Sequence, residues 1–86
     1  MKPTHYIFLT VEGEKVLHYL SSHYMVNGCL DAINVESLTY YLSATLIPID
    51  KSTTLRVWIP HSFIALVGLD EQAKEIGFLR SEKKPE

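Results

Sequence analysis

A mainly β domain, built as a small and strongly bent antiparallel sheet or barrel, is the fold predicted by this 86-residue sequence. Three observations predict it. Apolar and polar residues alternate through most of residues 27–66, the period of strands with one buried face. Turn-forming residues recur at short intervals, at Asn27-Gly28, Asp50-Lys51-Ser52-Thr53 and Pro60-His61. The series is compressed into about 40 residues, which leaves room only for short strands and tight connections.

The first strand is expected over residues 5–11, with Ile7, Leu9 and Val11 on one face and Tyr6 and Phe8 on the other. Apolar on both faces, it calls for cover on both sides. Glu12-Gly13-Glu14 reads as a turn, with Gly13 free to adopt positive φ. Residues 15–26 fit two descriptions. Their Val and Tyr content and the Asn27-Gly28 hairpin signal behind them favour a strand. Val16, Leu17, Leu20 and Tyr24 also share one helical face, and in that case Thr10 supplies the N-cap. A return strand follows over residues 29–34, with Leu30 and Ala32 opposite Cys29, Asp31 and Ile33.

Glu36 and Ser37 read as a connection, and residues 38–49 as the longest strand. One face carries Leu38, Tyr40, Leu42, Ala44 and Leu46; the other, mostly polar, carries Thr39, Tyr41, Ser43 and Thr45. Pro48 fits only an edge, a bulge or a strand end. Residues 54–59 turn Leu55, Val57 and Ile59 inward and Arg56 and Trp58 outward. Pro60-His61 breaks that strand, and residues 62–67 resume it. A short C-terminal helix is expected over residues 71–76, capped by Asp70 and Gly77.

Residues 1–80 thus form one domain, and residues 81–86, all polar, charged or proline, form a frayed tail. A chain this short buries only about 60–65% of its unfolded surface. With 47% hydrophobic residues it is expected to complete its core by forming a homo-oligomer, against the alternative of a monomer with exposed aromatics. Eight Lys and Arg face ten Asp and Glu, for a net charge of −2, which argues against a general electrostatic grip on nucleic acid. A single cysteine, Cys29, excludes an intrachain disulfide and reads as a small buried hydrophobe. No apolar run approaches the ~20 residues of a membrane helix, and no secretory leader is evident, so the expectation is a cytoplasmic protein without membrane contact.

Gly28-Cys29-Leu30, Ile33-Asn34 and Leu38-Thr39-Tyr40, followed by Val57-Trp58-Ile59-Pro60-His61-Ser62-Phe63-Ile64, resemble the two signatures of the Sm/LSm/Hfq family across residues 15–67. Asn34 stands where that family usually has Asp, and its Arg-Gly pair at the last turn is missing. The resemblance implies a bent five-stranded barrel whose protomers join by edge-strand pairing into a ring, with RNA or single-stranded nucleic acid as ligand. On this reading Asn34, Tyr41, Arg56, Trp58 and His61 are the candidate nucleic-acid contacts, together with Tyr40 and Lys51. Phe63, Ile64, Leu66 and Val67 form the candidate assembly strand, which carries no charge to blunt it.

Other chemistry finds little footing. His18, His23 and Cys29 lack the number and spacing of zinc ligands. The four glycines are scattered, so no phosphate-cradling loop exists, and no carboxylate pair suggests general acid–base work. No cofactor and no enzymatic activity are expected. The alternative to a nucleic-acid-binding ring is a structural or protein-interaction module of the same architecture.

Overall fold

A computed structural model describes residues 2–69. The chain runs β1 (His5–Leu9), α1 (Val11–Val16), α2 (His18–Tyr24), β2 (Met25–Val26), β3 (Cys29–Ser37), β4 (Tyr41–Leu46), β5 (Leu55–Pro60), a 3-10 turn (His61–Phe63) and β6 (Ile64–Leu69). The strands form one antiparallel sheet in the order β5-β4-β3-β1-β6, with the short β2 paired to β3 outside that path. The mainly β, antiparallel fold expected from the alternation is the one the chain adopts.

The connection between β5 and β6 forces the sheet to curl. These strands lie at opposite ends of the five-strand path, four ladder spacings apart. In a flat sheet that separation would be about 19 Å. The link from Pro60 to Ile64 holds a single 3-10 turn, which advances only about 8 Å and could not exceed ~14 Å fully extended. The two ends must therefore approach each other. Both sides of the turn are pinned: His61 N–H donates to the Tyr40 carbonyl at 3.2 Å, and Thr10 N–H donates to the Phe63 carbonyl at 2.8 Å.

One core draws on every strand of the path. Ile7 and Leu9 of β1, Leu30 and Ala32 of β3, Leu42, Ala44 and Leu46 of β4 and Ile59 of β5 form one buried cluster, joined by Leu20 and Tyr24 of α2. Leu55 and Val57 from one end of the sheet and Ile64 and Val67 from the other pack against that same cluster. Inward residues fall at period 2 along β1, β4 and β5, while β3 and β6 each change face at a register shift.

Several boundaries differ from those expected. Residues 15–24 take the helical alternative, and only Met25 and Val26 remain as strand. Glu12-Gly13-Glu14 is no turn but the body of α1, and Gly13 keeps a negative φ. Thr10 is the N-cap: its Oγ1 accepts the Gly13 N–H at 2.9 Å. The helix forms because this cap and close packing on the 3-10 turn outweigh weak local propensity. At the Asn27-Gly28 turn both φ angles are positive, 53° and 86°, as a two-residue type I′ hairpin demands.

Glu36 and Ser37 belong to β3, paired with Ser43 and Leu42. A register shift between Ile33 and Glu36 accommodates Asn34 at φ 52°, a bulge that lengthens β3 past its expected end. The strand expected over residues 38–49 spans only Tyr41–Leu46. Leu38, Thr39 and Tyr40 form the turn before it, closed by Leu38 N–H donating to the Tyr41 carbonyl. Pro48 lies just past the strand end, in a turn closed by Lys51 N–H on its carbonyl. The final strand starts at Ile64 because Pro60 first directs the chain into the 3-10 turn. The C-terminal helix and tail expected beyond residue 70 lie outside the described residues.

Candidate functional site

The pairing of β4 with β5 sets Tyr41 opposite Pro60, Ser43 opposite Trp58 and Thr45 opposite Arg56. Leu42, Ala44, Val57 and Ile59 point into the core, so these intervening residues share the outer face. The next strand adds Glu36 beside Ser43 and Ile33 beside Thr45. Tyr41 and Trp58 are diagonal neighbours, a separation of about 7–8 Å that aromatic side chains span. Both rings are exposed, Trp58 at 59%, and Tyr40 in the adjoining turn is more exposed still.

Four of the five sequence-predicted contacts therefore lie together: Tyr41, Arg56 and Trp58 on the outer face, and Asn34 at its margin through Arg56. One Arg56 guanidinium nitrogen, Nη1, donates to the Thr45 hydroxyl and to the Asn34 carbonyl, each at 3.1 Å. The bulge turns that carbonyl out of the ladder, and the guanidinium reaches back across β4 to satisfy it. His61 lies past the end of β5. Its Nε2 donates to the Leu38 carbonyl at 2.7 Å, which ties the 3-10 turn to the β3–β4 turn and fixes the proton on that nitrogen. Lys51 stands away from this strip, in the loop after β4.

Thr45, Ser43 and Glu36 were absent from the candidates yet complete the strip. Thr45 and Ser43 were legible, since they share the polar face of the strand with Tyr41. Glu36 was hidden by its reading as a connection. Ser43 is 98% buried (2% exposed), and its hydroxyl has no hydrogen-bond partner. The face thus presents flat rings, one tethered cation and one carboxylate.

The candidate assembly strand divides by face. Ile64 and Val67 pack toward the core, Leu66 is exposed, and Phe63 sits in the 3-10 turn against Gly13. Among the described residues β6 pairs only with β1 and β5 only with β4, so each strand has one ladder edge without a strand partner.

Burial pushes the Cys29 thiol above its ordinary range, and the Asp31 carboxylate beside it pushes the same way. That is the opposite of an activated thiolate. Burial also raises Asp31, with Lys51 opposing the shift. No group of three or more metal-ligating side chains occurs among the described residues, and no helix there is long and apolar enough to cross a membrane. The site and fold define a small curled antiparallel sheet with an aromatic outer strip and two strand edges. No family model, no curated protein and no solved structure matches the chain.

Proposed function

We propose that the protein is an Sm-like assembly module in which the β5 edge of one copy pairs with the β6 edge of the next to close a homo-oligomeric ring. The observation that carries this reading is the pair of edge strands, one-sided among the described residues and both rich in apolar residues, at the two ends of a curled sheet. An edge left in this state is a template for another strand. Two different edges meeting head to tail make a heterologous contact, which closes into a ring when the rotation permits. The three-residue link between β5 and β6 also agrees with the tight turn that the Sm resemblance implies. Sedimentation equilibrium at micromolar concentration is the test: a mass several times 9.8 kDa supports the ring, and a monomer at that mass rejects it.

The aromatic strip favours a second reading, in which the ring binds single-stranded RNA by stacking. Tyr41 and Trp58 offer exposed faces to bases, and stacking is worth about 1–3 kcal/mol per base. Arg56 is the cation of the strip, and Glu36 opposes it, so affinity here would rest on stacking more than on phosphate contacts. Filter binding of a polyuridine oligonucleotide at low and moderate salt tests this. Trp58→Ala is expected to weaken retention roughly 5- to 150-fold. Absence of retention by the wild type at low salt leaves the ring as a module without nucleic acid.

A further inference from the structure

We propose that Arg56 is a positioning residue for assembly, held back by a clamp that keeps the β5 edge open to a second copy. The inference rests on the ring reading. A charged side chain on an edge strand is a common device for blocking strand addition. β6 carries no charged residue at all, and β5 carries only Arg56. The structure draws that one charge away from the open edge. Its Nη1 spans β4 to reach the Asn34 carbonyl on β3 and the Thr45 hydroxyl on β4, both on the side opposite the edge. The clamp depends on two local features. The bulge at Asn34, with φ 52°, leaves a carbonyl for the guanidinium, and the register places Thr45 directly opposite Arg56. Both bonds come from one terminal nitrogen, which the arginine side chain carries one bond farther from the backbone than a lysine carries its ammonium.

The test separates a released charge from a lost structural contact. Arg56→Lys keeps the charge without the double clamp, and Arg56→Met removes the charge while keeping most of the stem. Sedimentation equilibrium over a concentration series, with melting temperature as a check on the fold, is read for wild type and each variant. Arg56→Lys is expected to need about fivefold or more protein to assemble, and Arg56→Met to stay within about twofold of wild type. Thr45→Val, which removes one acceptor, is expected to behave like Arg56→Lys, and Thr45→Ser, which restores a hydroxyl, like wild type. Adding Arg56→Met to Thr45→Val is expected to recover assembly. Equal losses in Arg56→Lys and Arg56→Met reduce the clamp to a structural contact and overturn the inference, as does an Arg56→Lys variant that assembles like wild type. A monomeric wild type removes the ring reading and this inference together, an outcome distinct from both.

Discussion

At the scale of single residues, Gly13 shows how much a missing side chain can decide. A Cβ at this position would lie 2.6 Å from the Phe63 carbonyl oxygen and 2.9 Å from the Phe63 Cβ. The oxygen is backbone, and it already accepts the Thr10 N–H, so it has little freedom to retreat. Gly13→Ala would gain about 1 kcal/mol of helix propensity. Forcing a methyl into that contact costs about 1–3 kcal/mol, and the backbone partner puts the cost toward the upper end. The net expectation is a loss of about 1–2 kcal/mol, a melting temperature lower by about 4–16 °C, measured by circular dichroism. An unchanged or higher melting temperature would mean that α1 and the 3-10 turn separate easily, and that Gly13 does not set their spacing.

At the scale of elements, the strands were far more legible than the helices. Period-2 alternation placed Leu55, Val57 and Ile59 inward and Arg56 and Trp58 outward, because a residue's face in a strand follows from its parity alone. The Asn27-Gly28 hairpin was legible because few residues accept two successive positive φ angles. By contrast, Val11–Val16 carries a glycine and two valines within six residues, a poor local case for a helix. What holds it is tertiary: the packing of Gly13 on Phe63 and the cap from Thr10. The outer strip was half legible for the same reason. Parity exposed Tyr41 and Trp58, but a bulge at Asn34 changes parity midway through β3 and cannot be counted without the ladder. Thr10→Val removes the capping oxygen at nearly constant volume and leaves the Thr10 N–H bond to Phe63 in place. It is expected to cost about 0.5–2 kcal/mol in urea unfolding, with Thr10→Ser close to wild type. Equal stability of Thr10→Val and wild type would assign α1 entirely to packing.

At the scale of the whole molecule, one short connection determines the shape and leaves the two strand edges that the proposed assembly would use. Because a single 3-10 turn joins the two ends of the sheet path, the sheet curls around Ile7, Leu30, Leu46 and Ile59. The same path leaves β5 and β6 paired on one side only among the described residues. Within β6, the irregularity between Ile64 and Leu66 separates the two jobs of the strand: Ile64 and Val67 serve the core, while the exposed Leu66 can be changed without opening it. Leu66→Lys therefore tests the edge itself. A lysine there leaves inward packing intact but places a hydrated charge beside the ladder groups that a neighbour would use. The expected result is a shift from oligomer to monomer in sedimentation, with an unchanged far-ultraviolet circular dichroism spectrum. Retention of the wild-type mass would exclude the β6 edge as the assembly surface and move the search to the exposed side chains of the helices, Val11, Val16 and Tyr19.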